Sequence, residues 1–214
     1  TGDIKTKTMI MEGMADNLSW PLFNASYAEM IQKRLGAEKA EQMMRFYLHD
    51  NGSHTTGGGE PGIFQQSIQD LMAWAEQDIA PPRSTQYTIH NGQVVPAPKA
   101  ADRHGLQPVM QLTAEGNRRA MVGVNEPVNL TARIEMPPNT GSIVQYSWTL
   151  NGTEEAPVNL TEPQPEISIN RTVTFDKPGA YTVRLTVHGQ RDGQLDPADR
   201  TLVRNFKDIR VVVQ

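Results

Sequence analysis

The chain has 214 residues, 24 Asp and Glu against 20 Lys and Arg, a formal net charge of −4 and no cysteine. That length allows one or two domains with a sizeable core, the mildly acidic balance lacks the basic face of a nucleic-acid-binding protein, and the missing thiols exclude disulfides, Cys-ligated metals and a thiol nucleophile. Mean hydropathy is −0.51 and no apolar run approaches the ~20 residues of a membrane-spanning helix, so neither nucleic acid nor membrane is expected as a partner.

Composition changes near residue 80. Residues 1–80 carry 11 acidic and 6 basic side chains, net −5, and seven of the ten methionines; the remainder carries 13 acidic and 14 basic, net +1. In the first part the apolar run at 6–12, ending in Gly13, predicts a buried strand. Pro21 suits the first turn of a helix, with Ser19 as its cap. Leu22, Phe23, Tyr27, Met30, Ile31 and Leu35 recur at helical spacing, and Gly36 ends the pattern. A second strand is predicted over 43–48, then a Gly-rich loop (Gly52, His54, Gly57, Gly58, Gly59). Phe64, Ile68, Leu71, Met72, Ala75 and Ile79 form one side of a second helix over 63–79, stopped by Pro81 and Pro82. Residues 81–108 hold five prolines and little periodicity, which predicts a linker or an arm lying on a neighbour.

From residue 109 strands recur, predicted over 109–112, 128–134, 143–150, 166–175, 180–187 and 203–213. Val128, Leu130, Ala132 and Ile134 alternate, as do Tyr181, Val183, Leu185 and Val187, the pattern of an antiparallel sandwich. Asn151-Gly152 and Lys177-Pro178-Gly179 mark tight turns. The stretch 141–148 ending in Tyr146-Ser147-Trp148, then Asn151-Gly152, then 173–187 with Pro178-Gly179-Ala180-Tyr181, resembles the PKD-type immunoglobulin-like domain over about residues 115–214. The resemblance implies that Trp148 packs in the core. The sequence departs from the family after Trp148, where Thr-Leu-Asn-Gly stands instead of an Asp-bearing turn, so no Asp-based site is expected there.

Residues 8–79 resemble the closing segment of an α/β-hydrolase of the tannase/feruloyl-esterase kind. The resemblance rests on Glu12-Gly13-Met14-Ala15-Asp16, Pro21 and Tyr27, the strand at 45–48, His54, and Leu71-Met72-Ala73-Trp74 before Ala80-Pro81-Pro82. It implies that Asp16 is the acid and His54 the base of a Ser-Asp-His triad. It also implies an α/β segment (partial α/β-hydrolase sheet and helices) over 1–80; with the proline content of 81–108 and the PKD-like pattern, the expected organisation is that segment, a Pro-rich connector over 81–108 and an all-β immunoglobulin-like sandwich over 109–214. Physics supports the pair on its own terms: parallel strands joined by a crossover end on one edge of a sheet, so an Asp past one strand and a His past the next come side by side. A carboxylate accepting from one imidazole nitrogen fixes the tautomer and leaves the other to take a proton from a serine. Asp16 also suits a helix cap, His54 a solvated loop, and His49 beside Asp50 is a rival base. Glu12 reads equally as a buried strand-end partner or a substrate contact.

No Gly-x-Ser-x-Gly elbow occurs, and in α/β-hydrolases the serine precedes acid and base. The chain is therefore expected to be the C-terminal portion of a serine ester hydrolase, inert alone, with its serine upstream. Two strands cannot bury both faces of a parallel sheet, so residues 1–80 are expected to meet the missing N-terminal hydrolase segment or to self-associate. The substrate is an ester, no cofactor is expected, and the sandwich suggests a secreted or periplasmic protein. The alternative function is a carbohydrate- or protein-binding β-sandwich module. Asp192, Asp196 and Asp199 form an acidic loop that suits either solvent or Ca²⁺.

Overall fold

Six-residue strands β1 (Thr8–Gly13) and β2 (Met44–His49) pair in parallel, from Thr8 opposite Met44 to Gly13 opposite His49. They belong to the first of two units in this computed structural model, which describes residues 1–54, 61–196 and 200–214. The first unit holds the described residues of Thr1–Gln107 with Pro137–Thr140 and part of Pro197–Val203; the second holds Pro108–Met136, Gly141–Asp196 and Arg204–Gln214.

The chain leaves β1 through α1 (Pro21–Leu35) and α2 (Ala37–Met43). Pro21 occupies the start of α1, Lys33 and Arg34 complement the C-terminal dipole, and Gly36 takes φ 83° at the cap. Trp20 stands at the N-cap and no side chain caps the helix; Ser19 instead gives its backbone N–H to Asp16. Beyond β2 come α3 (Pro61–Gln77), the hairpin β3 (Tyr87–His90) and β4 (Gln93–Pro96), and the short α4 (Ala100–Arg103).

The period-2 alternation of β2 sends Phe46 and Leu48 into one apolar cluster with Ala25, Ala28 and Ile31 of α1, and Tyr47 into another with Ile63 of α3, Leu106 and Val203. One helix thus covers each face of the strand pair. The far edge of β2 is occupied by residues 84–85: Thr85 N–H donates to the Phe46 carbonyl, and the Ser84 and Thr85 hydroxyls accept from Phe46 and Leu48 N–H. Among the described residues no strand pairs with the other edge of β1.

Helix α1 buries Ile31, with Leu22 and Leu35 packed against the same cluster as their spacing suggests, but the rest of its inward face is alanine, and α3 turns a largely different face inward from the one expected. Small Ala25 and Ala28 let α1 approach the sheet, while Phe23 and Met30 remain exposed with Trp20 stacked on Phe23 at 6.2 Å. Helix α3 buries Gly62, Ile63, Gln66, Ser67, Asp70 and Trp74. Gly62 is obligatory, because a Cβ there would stand 1.7 Å from the Leu202 carbonyl oxygen.

The second unit is a sandwich of two sheets. One has the order β10–β8–β12–β13–β6, with β9 paired to β8; the other is β11–β7–β5. The ranges are β5 Val109–Ala114, β6 Arg119–Val122, β7 Val128–Glu135, β8 Ser142–Leu150, β9 Thr153–Glu154, β10 Val158–Gln164, β11 Glu166–Val173, β12 Gly179–Gln190 and β13 Val203–Val213. The short β6 and the polar β10 carry no alternation that would announce them. Leu130, Ile134, Ile143, Trp148, Val183, Leu185 and Val211 lie in one continuous core. Tyr181 stacks on Phe175 at 4.2 Å.

Candidate active site

The site lies where β1 and β2 end together. Their pairing continues past the last strand residues: Met14 N–H donates to the His49 carbonyl and Ala15 N–H to the Gly52 carbonyl, both at 2.9 Å. Two glycines make this approach possible. A Cβ on Gly13 would sit 2.3 Å from the Gly52 carbonyl oxygen, and a Cβ on Gly52 would enter the His49 ring.

Asp16 and His54 meet at this edge. Asp16 Oδ2 and His54 Nδ1 are 2.9 Å apart. The carboxylate only accepts, so Nδ1 carries the hydrogen when Asp16 is ionised, and Nε2 is the nitrogen left to exchange protons. Asp16 Oδ1 accepts from Leu18 and Ser19 N–H, each at 2.8 Å. These bonds tie down the loop before α1, so the carboxylate organises the site instead of capping the helix. Desolvation pushes the Asp16 carboxyl upward, but the hydrogen bonds from Ser19, Leu18 and His54 outweigh it and hold it below its usual range. The Asp16 side chain is 7% exposed and that of His54 51%, so the acid is enclosed while the imidazole opens to the cleft.

His49 stands apart from this pair. It is buried beneath Gly52, its Nδ1 has no partner, and desolvation pulls its ring below the ordinary histidine range. Glu12 is 3% exposed. Asn24 of α1 donates to its Oε2, while Oε1 is buried without a partner. Burial pushes its carboxyl up, against the Asn24 bond.

A cleft of about 420 Å³ adjoins these groups, within the usual range of small-molecule sites. Glu12, Asp16, Ser19, Asn24, Ser53 and His54 form its polar end. Met9 and Met11 of β1 face Phe64, Ile68 and Leu71 of α3 along its apolar end.

Sequence reasoning passed over two supports. Arg103 Nη1 reaches both Asp50 carboxylate oxygens at 3.0 Å, and Gln107 Oε1 accepts from Asp50 N–H at 2.8 Å. The Pro-rich segment thereby braces the loop that carries His54. Its only signal was local, an Arg and a Gln four residues apart before Pro108. Among the described residues no three His, Asp or Glu side chains are grouped to share a metal ion. Asp199 of the acidic loop and Gly57–Gly59 lie outside the described residues.

Parallel strands between helices, with an Asp–His pair at their common edge, define an α/β segment, and a β-sandwich follows it. The tannase and feruloyl esterase family model matches residues 3–110, and the PKD domain model matches residues 111–196. The chain belongs to the tannase and feruloyl esterase family and carries a PKD domain after that region. An uncharacterized esterase of Agrobacterium fabrum is 30% identical over 105 residues, which cover 49% of this chain and 17% of that protein. The chain therefore matches only about a sixth of the length of that relative. Among solved structures, the CARDB domain of a Pyrococcus furiosus protein is 18% identical, with 50% of this chain and 95% of that one covered and a TM-score of 0.35. Fibronectin(III)-like modules of Clostridium thermocellum CbhA are 13% identical, with 49% and 96% covered and a TM-score of 0.31. At such scores these two likenesses carry no argument.

Proposed function

We propose that this chain supplies the acid and the base of a serine ester hydrolase of the α/β-hydrolase fold, Asp16 and His54, to a nucleophile carried by another part of the parent protein. The observation that carries the reading is the 2.9 Å contact between a shielded carboxylate and a half-exposed imidazole beside the cleft. In the reaction His54 Nε2 takes the serine proton as the hydroxyl attacks the ester carbonyl. Asp16 stabilises the imidazolium that results, and the same proton then passes to the leaving alcohol. Water repeats the sequence on the acyl-serine.

The partner is the preceding portion of the hydrolase. Three features support it. One edge of β1 is unpaired among the described residues. Helix α3 buries Ile63 and Trp74 on one face while it turns Phe64, Ile68 and Leu71 to the cleft on another, a second apolar face that a further layer would cover. The esterase relative is about six times longer than the matched segment. A parallel strand added along β1, with its helix beside α3, would bring the serine toward His54.

The test is hydrolysis of a p-nitrophenyl ester by the full-length parent and by this chain alone. Full-length activity abolished by His54→Ala, with an inert 214-residue chain, is the expected result. Turnover by the isolated chain, or a fully active His54→Ala parent, overturns the reading.

A further inference from the structure

Helix α1 has a second apolar face, which lies in the open. Trp20, Phe23, Tyr27 and Met30 recur at spacings of three and four, so they share one side of the helix, apart from the Ala25, Ala28 and Ile31 that turn to the sheet. Trp20 is 64% and Phe23 62% exposed, and their rings stack on each other instead of entering the core. Leu18 continues the patch toward the catalytic edge, its backbone N–H held by Asp16. A contiguous apolar patch of this kind marks a contact surface.

The path of the first residues points to what covers it. Gly2 is buried on the backbone of α1: a Cβ there would stand 2.5 Å from the Met30 carbonyl oxygen and 2.9 Å from the Ile31 nitrogen. Ile4 packs into the α1–β2 cluster. The chain thus enters the unit along α1, and residues ahead of Thr1 approach the helix beside Met30, at one end of the patch.

We propose that the stretch of the parent chain immediately ahead of Thr1 lies extended on this face, from Leu18 and Trp20 to Met30, and covers it. The inference shares with the reading above only the continuation of the parent chain upstream, which the length of the esterase relative supports. From Trp20 to Met30 the face is about 15 Å long at the helical rise, a span of about five extended residues. Alternate side chains of such a segment face the helix, so two or three apolar residues at every second position fill the patch. The segment passes the loop that Asp16 pins before it enters β1, and by covering Leu18 and Trp20 it holds that loop in place.

The experiment is thiol labelling with a maleimide, followed peptide by peptide in a mass spectrometer. The chain has no cysteine of its own, so Phe23→Cys reports on the patch. Glu29→Cys is the control, exposed on the side of α1 near Ser84 and Tyr87. Each is compared in the 214-residue chain, in the same chain extended by the ten or so parent residues ahead of Thr1, and in the full-length parent. Phe23→Cys should label freely in the 214-residue chain and about tenfold or more slowly in the other two, while Glu29→Cys labels alike in the first two. Should loss of the Phe23 ring itself loosen the segment, Met30→Cys, next to Gly2, gives the same reading. Equal labelling in all three forms overturns the proposal. Protection confined to the full-length parent assigns the face to another part of that protein, and protection of the 214-residue chain that fades on dilution assigns it to a second copy; either also overturns it. Labelling requires no turnover, so this result and the esterase test fail separately.

Discussion

The two units solve the problem of burying apolar surface in opposite ways. The sandwich gathers its inward residues from two sheets into one cluster, from Met110 to Val213. The α/β unit divides its core into two smaller clusters on either side of a two-stranded sheet and leaves Leu18, Trp20, Phe23 and Met72 more than half exposed. A closed sandwich meets its own packing needs, whereas a parallel sheet is covered only when helices and further strands complete it. The chemistry-bearing residues all lie in the less complete unit. Asp16 and His54 sit on loops set by two strand ends, while the inward residues of the sandwich form one apolar cluster with no Asp–His pair among its described residues.

That contrast can be broken first through catalysis. In the full-length parent, Asp16→Asn should lower kcat about 10⁴-fold, because the imidazole loses its enforced tautomer and the stabilisation of its charge, and steady-state kinetics would measure it. Little loss would detach the α/β unit from the reaction. Stability probes the other side: Trp148→Ala in the sandwich core should cost about 3–5 kcal/mol, read by urea unfolding, whereas His54→Ala, at a half-exposed position, should stay within about 0.5 kcal/mol.

Gly52→Ala sharpens the link between packing and site. Its Cβ would meet the His49 ring at 2.0 Å, so the loop must shift. A loss of about 1–3 kcal/mol and disappearance of the Asp16–His54 hydrogen bond from NMR spectra are expected. The smallest effects are those of pH. The Asp16 carboxyl is depressed in the fold, so its contribution is complete above its unfolded value near 3.9 and fades as pH falls through the folded value. His49 is also depressed, and its contribution fades as pH drops below about 6.5. Glu12 is raised, so its contribution is present below about pH 4.3 and lost as pH rises through the folded value. Relative to wild type, Glu12→Gln should therefore gain stability between pH 4 and pH 7, which thermal melts at the two pH values would register.

Local patterns carried much of the architecture. Alternation in Val128–Ile134 and in Tyr181–Val187 foretold strands because a half-buried strand has period 2, and Pro21 and Gly36 marked the ends of α1 because each favours one helix terminus. The spacing of Asp16 and His54 around one helix and one strand predicted their meeting, since a crossover returns the chain to the same sheet edge. The hairpin at 87–96 escaped notice because the prolines around it suggest a linker; Tyr87 and Val94 pack into the α1–β2 cluster, and the long-range bonds to β2 and Asp50 come from its flanks, Ser84, Thr85, Arg103 and Gln107.

The amino-acid order alone determined the two strands and two long helices of the first half, the main strands of the second, and the residue types at the strand tips. It could not say which face of α3 turns inward, nor that Ala25 and Ala28 would stand beside Ile31 on the inner face of α1 while Phe23 and Met30 stay out, since small side chains allow close approach to the sheet. Nor could it enclose Glu12, place His49 under Gly52 or set Arg103 against Asp50. Those outcomes depend on residues far apart in the chain, and only the packed structure brings their side chains into contact.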